Sequence, residues 1–339
     1  TGGMQVATRK DVAEYAGVSI ATVSRVLNDP EKVAEQSRSR VLNAIDVLGY
    51  SSNLLAKSLR KDGLNAVSVL LPSLSDPFFA QMNQGISDVL ATCGYLMLTV
   101  ATEGVQSMEE EYLLKAKSMG LAGVLVYTPA RCIPSSWESF CGSFPILFLS
   151  DTDARGLPKT EQLPASWEAL GDQVANYFLN QKRHHLVYLA DHTSRFSSAF
   201  FTRLQNTIRA EGGTCQHCSA GSSLDDAYRE LTRYLNQTET LPDAIITQNC
   251  YQGAGALSAL KQQGIRVPEQ AAVLSLENAQ LAQLTSPQLS VWGPSGYQVG
   301  VLGAQRLLEL IRLNEDTPAA PKEEVSLTLI VRGSTDVKA

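Results

Sequence analysis

Short apolar runs alternate with helical patterns along most of this chain, and this alternation limits the fold more than any other feature. The runs are AVSVLLP, YLMLTV, GVLVY and FPILFLS, followed by LVYLA, AIITQ and AVLSL. Segments with apolar residues at helical spacing separate most of them. Such alternation predicts parallel sheets with helices on both faces. Two series predict an α/β fold with two doubly wound, parallel-sheet lobes.

Parallel sheets also indicate where a ligand would bind. Open α/β sheets hold ligands beyond the carboxyl ends of their strands. Two neighbouring lobes would bring both sets of strand ends to one cleft, which is a common place for a small-molecule site. We therefore expect any ligand to lie between the lobes.

The first sixty residues have a different pattern, that of short helices. TRKDVAEYAG begins at Thr8 with Asp11 three residues later and ends at Gly17, which predicts a capped helix. Ser19 is placed to cap the next stretch, IATVSRVLN, and a third helix is expected over residues 33–48. Two short helices joined by a three-residue turn have the spacing of a helix-turn-helix motif.

Charge also separates this segment from the rest. The chain carries 28 Lys and Arg against 34 Asp and Glu, a net charge of -6. Residues 4–62 hold nine of the basic and seven of the acidic side chains. Only this segment suits a polyanionic partner, and because its surplus is small, the placement of its cations must matter more than their number.

Cysteines and histidines indicate neither a metal site nor catalysis. Six cysteines are scattered through a long chain without an apolar signal region, which predicts reduced thiols in a cytoplasmic protein. Cys215 and Cys218 form a C-x-x-C around His217, but no second pair lies at zinc-site spacing. No nucleophile–base arrangement is visible. We therefore expect no metal, no cofactor and no enzymatic activity.

Several long motifs resemble those of the LacI/GalR family of bacterial transcription repressors, over about Thr8 to Thr335. They are KDVAEYAGVSIATVSRVLN, LPSLSDPFFAQMNQGISDVLATCGY, NCYQGAGALSALKQQGIRVPEQAAVLS, SPQLS and GAQRLLELI. The resemblance implies a helix-turn-helix headpiece, a hinge helix and a core similar to periplasmic sugar-binding proteins. It further implies a homodimer that binds a near-palindromic double-stranded DNA operator and a small effector between its lobes.

The parts of the chain follow from this resemblance. The headpiece is expected at residues 4–51, the hinge at 52–63, the first core lobe at 64–163 and 292–322, and the second core lobe at 164–291 and 323–339.

The resemblance assigns the reading of DNA to IATVSRVLN. In a helix-turn-helix the second helix enters the major groove with its N-terminal residues at base edges. Ile20 and Ala21 are then the base-contacting start, and Arg25, one turn later, suits bidentate contact with a guanine. Short polar groups are the candidates for phosphate oxygens: Thr8, Ser19, Thr22, Ser24 and Asn28.

NLLAKSLR resembles the hinge helix of the family. Leu59 falls where the family has a leucine that wedges into the minor groove and kinks the duplex. Asn53, Lys57 and Arg60 are expected to hold phosphate or the minor groove. The family pattern Y-x-P-N is Tyr50-Ser-Ser-Asn here, so the joint before the hinge lacks its proline.

The effector pocket departs from the family pattern. Family members that bind sugars use an Asp in A-x-N-D and an Arg in the second lobe, and here Cys250 stands in place of the Asp. The Arg position is Phe200 when helix apolar positions are matched, or Arg203 when RLQN is matched; we prefer Phe200. The family's G-F-D-D is SLEN, residues 275–278.

Three interpretations of this pocket remain open. The effector could be less hydroxylated or differently charged, polar contacts could come from other residues, or the effector response could be lost. The substitute polar residues are Asp76, Tyr127, Ser150, Asp151 and Gln248, and Phe78 and Phe79 are further candidates. Similarity of two motifs to gluconate-operon repressors suggests a sugar acid or another sugar derivative. The alternative function is a ligand-binding protein with a vestigial headpiece.

Overall fold

The protein is described here from a computed structural model. It describes residues 7–50, 64–128, 133, 136–137, 140–142, 144–150, 159–163, 165–191, 195–312 and 323–336, without the side chains of residues 28, 64 and 195–198. The chain divides into a small unit, Thr1–Leu64, and a large unit, Asn65–Ala339. Among the described helices, none has the length and hydropathy that a membrane span requires.

The small unit is a bundle of three helices. Helix α1 is Arg9–Ala16, α2 is Ile20–Asn28 and α3 is Glu35–Leu48, with a short 3-10 turn at Pro30–Lys32. Helix α3 therefore begins two residues later than the helix predicted over residues 33–48. The core of the bundle is Val12, Ala13, Ala16, Val23, Val26, Val41, Ala44 and Tyr50.

Local hydrogen bonds set the ends of these helices. The Thr8 hydroxyl accepts the Asp11 N–H, and the Asp11 carboxylate accepts the Thr8 N–H at 2.7 Å, so both residues form a capping box on α1. The Ser19 hydroxyl accepts the Thr22 N–H at 3.1 Å and caps α2. Gly17, with φ of 61°, ends α1 in the left-handed conformation that glycine adopts most readily.

The large unit contains two sheets, as predicted. The first has β1 Leu64–Leu71, β2 Leu96–Ala101, β3 Leu121–Val126, β4 Ile146–Phe148 and β5 Thr160–Gln162. Its order is β2-β1-β3-β4-β5, and the strand pairs with a described register are parallel.

The second sheet has six strands in the order β11-β10-β9-β8-β6-β7. They are β6 His185–Ala190, β7 Thr214–Ser219, β8 Ala244–Thr247, β9 Ala272–Ser275, β10 Ser290–Gly293 and β11 Thr328–Ile330. All pairs are parallel except β10 with β11, which is antiparallel.

Among the described residues, seven helices pack on these sheets. They are α4 Pro77–Thr92, α5 Gln106–Ser118, α6 Trp167–Asn180, α7 Arg195–Ala210, α8 Leu224–Gln237, α9 Cys250–Gln262 and α10 Gly296–Arg312. Each sheet has apolar residues buried on both faces, as the alternation of strands and helices predicts.

The chain returns to the first lobe through α10. This helix packs so closely on α4 that a methyl group at Gly300 would lie 2.1 Å from the Met82 carbonyl oxygen. The predicted boundary put the return to the first lobe at residue 292, which is two residues before β10 has ended. Strand β10 remains paired with β11 through Gly293, so the second lobe keeps the chain to that residue.

Candidate functional site

Helix α2 exposes the three residues proposed to read bases. Ile20 is 52% exposed, although a large apolar side chain is usually covered, and Ala21 and Arg25 are also exposed. Val23 and Val26 are buried in the core of the bundle. Ala21 and Arg25, four residues apart, share an exposed face of the helix, and Ile20 adds an exposed apolar contact at its first turn.

The short polar candidates are engaged in caps. The Thr8 hydroxyl donates to Asp11 Oδ2 at 2.8 Å, and the hydroxyls of Ser19 and Thr22 lie 2.9 Å apart. Ser24 is only partly exposed. Contact with phosphate stays a prediction for these residues. The remaining DNA candidates lie outside the described residues or side chains: Asn28, Asn53, Lys57, Leu59 and Arg60.

A cleft of about 1090 Å³ lies between the two lobes of the large unit. It is lined by residues that follow the carboxyl ends of strands in both sheets, as predicted for parallel sheets. From the first lobe these include Pro72, Asp76, Glu103, Tyr127, Thr128 and Ser150, and from the second Asp191, Ser222, Gln248, Asn249 and Glu277.

Asp76 and an aromatic group form part of the first-lobe wall. Asp76 caps α4, with its Oδ1 accepting the Phe78 N–H at 2.8 Å, and burial raises the pKa of its carboxyl. The Phe79 ring lies edge-on to Phe78 and to Tyr127, with centroids 4.9 Å apart for the second pair. All four predicted residues line the cleft.

Ser150 also lines the cleft and is held by a network behind it. Its Oγ accepts the Thr128 N–H at 3.2 Å, and the Thr128 hydroxyl donates to Glu109 Oε2 at 3.0 Å. Glu109 is 1% exposed, and burial raises the pKa of its carboxyl. This network fixes the loops after β3 and β4. Effector binding by the first-lobe candidates stays a prediction.

Cys250 is not among the described residues that line the cleft, and its contact with an effector stays a prediction. Its side chain is 1% exposed because it turns inward at the start of α9. Burial raises the pKa of the thiol to about 12, so it stays protonated and donates to the Glu277 carbonyl oxygen at 3.0 Å. The Ser275 hydroxyl donates to the same oxygen at 3.3 Å.

Glu277 supplies the carboxyl group that position 250 lacks. Its side chain lines the cleft, and its Oε1 accepts the Cys250 N–H at 3.3 Å. Burial, and secondly the nearby charge of Asp76, raise the pKa of this carboxyl to about 8. In the sequence, SLEN stands out only as a departure from the family's G-F-D-D. The available signal was an acidic residue directly after the apolar strand AVLSL, at a strand end that faces the cleft.

Phe200 and Arg203 also lie away from the cleft. Phe200 is fully buried against Tyr188, with ring centroids 5.3 Å apart, because the apolar face of α7 packs on α6 and the sheet. Arg203 points outward and forms an ion pair with Asp172 on α6. Neither alignment therefore placed a cleft residue. Asp151 lies outside the described residues, whereas Gln248 lines the cleft.

Cys215 and Cys218 lie on opposite faces of β7. Cys215 packs with the cluster that contains Tyr188, and Cys218 packs with the cluster that contains Leu231. Because residues three apart in a strand point to opposite sides, the two sulfurs cannot share a metal ion. Among the described residues, no group of three or more His, Cys, Asp or Glu is arranged for one.

Comparison with known proteins gives consistent results. Residues 8–53 match the family model of bacterial regulatory proteins, lacI family, and residues 175–335 match that of the periplasmic binding protein-like domain. The ribose operon repressor of Bacillus subtilis is 31% identical over 91% of this chain and 92% of its own. The transcriptional repressor CytR of Escherichia coli is 26% identical over 97% and 96%.

A solved structure has the same fold over nearly the full chain. The lac repressor dimer bound to operator and an anti-inducer superposes with a TM-score of 0.85 at 20% identity. The match covers 98% of this chain and 99% of that one.

Proposed function

The chain belongs to the lacI family of bacterial regulatory proteins, and we propose that it represses transcription by binding an operator through α2, under the control of a small metabolite in the cleft. The observation that carries the DNA-binding part is the exposed face of α2. The observation that carries the control part is the cleft at the strand ends.

Arg25 is the residue that would distinguish bases most strongly. Its guanidinium can bind O6 and N7 of a guanine together, which is worth about 1–3 kcal/mol of discrimination. Ile20 has no donor or acceptor, so it would contact a thymine methyl group or exclude a base. Contacts with phosphate would position the helix, through Thr8, Ser19, Thr22, Ser24 and Asn28.

The hinge would add a second point of DNA contact. Leu59 would enter the minor groove and unstack a base step, with Asn53, Lys57 and Arg60 on the backbone around it. Two copies of the chain would bring two α2 helices to two half-sites, separated by about one helical turn or a multiple of it. The lac repressor in the superposed structure binds its operator as a dimer, which supports this assembly.

The metabolite would act by favouring one closure of the two lobes. Linkage between two sites of this kind is typically about 1–3 kcal/mol. The similarity to the ribose operon repressor supports a sugar or a sugar derivative as the class of effector. The curated relatives named above are repressors, which supports binding of the ligand rather than chemistry on it.

The test is selection of genomic fragments by the full-length protein, followed by gel retardation of the enriched fragment across a salt series. We expect one near-palindromic site to be retained, with affinity falling steeply as salt rises. Absence of retardation at low salt would contradict the proposal and favour a ligand-binding protein with a vestigial headpiece. Metabolites are then added to the complex, and release or tighter binding of the fragment reports the effector.

A further inference from the structure

We propose that the effector carries a cationic nitrogen, which binds between Asp76 of the first lobe and Glu277 of the second. This inference rests on the proposed function, since it assigns a chemical class to the ligand of the same cleft. An amino sugar or another small hydroxylated amine combines this nitrogen with the hydroxyl groups suited to the polar parts of the lining.

Charge on the cleft walls is of one sign among the described lining residues. Five carboxyl groups line it, and no Lys, Arg or His does; the acids are Asp76, Glu103, Asp191, Asp225 and Glu277. A concave surface with one sign of charge concentrates field lines and attracts ligands of the opposite sign. A sugar acid would bring a further negative charge into this space, so the earlier suggestion of a sugar acid is disfavoured.

The two deeper carboxyl groups belong to different lobes. Asp76 stands at the start of α4, and Glu277 follows β9 beside the start of α9. Burial raises the pKa of both carboxyl groups, and the charge of Asp76 raises that of Glu277 further. Backbone N–H groups, of Phe78 and Cys250, donate to these carboxyl groups. A ligand cation would favour the ionised form of both carboxyl groups while joining the lobes.

Aromatic rings complete the surroundings of a cation. Phe79 and Tyr127 form an edge-to-face pair in the first-lobe wall, and Trp167 and Tyr251 also line the cleft. Ring faces attract ammonium and guanidinium groups, by about 0.5–2 kcal/mol depending on desolvation. Carboxylates and ring faces are therefore two separate features that favour the same ligand charge.

Hydrogen bonds to its backbone hold Glu277 in place. Its carbonyl accepts the Cys250 thiol and the Ser275 hydroxyl, and its N–H donates to Ser275 Oγ at 3.3 Å. This anchoring holds the side chain at the cleft. Replacing the carboxyl by an amide keeps the shape and an oxygen acceptor for the Cys250 N–H, so Glu277→Gln isolates charge.

The experiment compares related sugar derivatives of different charge, with the full-length protein. Glucose, glucosamine and gluconate, and the same three forms of galactose, are tested by thermal shift and calorimetry, together with agmatine and choline as cations without a sugar ring. We expect at least one amine to raise the melting temperature, and its acid counterpart to have no effect. Asp76→Asn, which can still cap α4, and Glu277→Gln should each lower the affinity for that amine about tenfold.

Glu211→Gln is the matched control, since it removes an exposed carboxylate from the turn after α7 and should leave affinity unchanged. The inference is overturned if no amine stabilises the protein, if an acid does so, or if a neutral sugar binds equally well to wild type and Glu277→Gln. Gel retardation of the operator without ligand is measured in parallel. Loss of that retardation contradicts the proposed function. Intact retardation together with a neutral or acidic effector contradicts only the proposal that the effector is an amine.

Discussion

Three residues of one helix form the candidate reading face, whereas the cleft collects its lining from segments as far apart as Pro72 and Val325. The shared exposure of Ala21 and Arg25 follows from helical spacing, because residues four apart lie on one face while Val23 and Val26 pack in the core. No local spacing determines which residues meet across the cleft. The candidate DNA-reading face therefore comes from one segment of sequence, whereas the cleft is assembled only by tertiary packing.

The largest expected effect concerns a residue that was assigned to the cleft from sequence and lies in the core. Phe200→Ala should lower the free energy of unfolding by about 3–5 kcal/mol, because it leaves a cavity beside Tyr188. Denaturant unfolding measures this loss. Arg203→Ala, on the same helix, is the control and should cost less than about 1 kcal/mol, since its ion pair is exposed. Similar costs for both variants would contradict the placement of α7.

Arg25→Ala tests the reading face. We expect it to lose about 1–3 kcal/mol of discrimination at one base pair of each half-site, while binding to unrelated DNA changes little. Competition gel shifts with single-base operator variants measure this. Lys57→Ala should instead weaken binding to all sequences and reduce the salt slope by about 1. Unchanged discrimination in Arg25→Ala would show that another residue reads that base.

The protonation of Glu277 gives a dependence of stability on pH. Its pKa is about 8 in the folded chain and returns to its ordinary 4.5 on unfolding, so the folded chain holds a proton that the unfolded chain has released. Stability from this group is complete below about pH 4.5 and is lost as pH rises through 8, by at most about 1.4 kcal/mol per pH unit. The groups that face this carboxyl are Asp76, Cys250 and Tyr251.

Chemical denaturation at several pH values measures this slope as the difference between wild type and Glu277→Gln. The amide does not titrate, so the difference isolates one group from all others that titrate between pH 4.5 and 8. A difference that does not change with pH would mean that Glu277 is already ionised in the folded protein.

The smallest expected effect concerns Cys250. Cys250→Ala removes the donor to the Glu277 carbonyl and should cost about 1 kcal/mol of stability. Cys250→Ser retains a donor and is the matched control. Since the thiol itself does not line the cleft, both variants should keep the charge preference of the effector. A variant that reverses that preference would place position 250 in direct contact with the ligand.

Much of the architecture could be predicted from the apolar runs, which mark the buried strands such as β3 and β8. Four strands were not assigned from the sequence: β5, β7, β10 and β11. Strands β5 and β7 are short or polar edge strands, and β11 pairs with only one neighbour. Pairing across a sheet, which stabilises such strands, is not visible in one segment of sequence.

Some site residues could likewise be predicted from the sequence, and others could not. Tyr127 and Ser150 lie just after the carboxyl ends of strands that were recognised, so their place at the cleft could be predicted. Cys250 and Glu277 could not, because a carboxyl supplied by the strand end after β9 replaces one expected at the start of α9. The exchange depends on the parallel packing of β8 against β9, which brings residues 27 apart in the chain into contact.

The return of the chain to the first lobe has a consequence for synthesis on the ribosome. Strands of the first sheet end at residue 162, yet α10, which packs on β3 and α4, is Gly296–Arg312, and the partner of β10 follows at Thr328–Ile330. Neither lobe can close until those late segments leave the exit tunnel. The helical bundle has its whole core within residues 12–50, so a nascent chain carries a folded reading helix long before it carries a cleft that could control it.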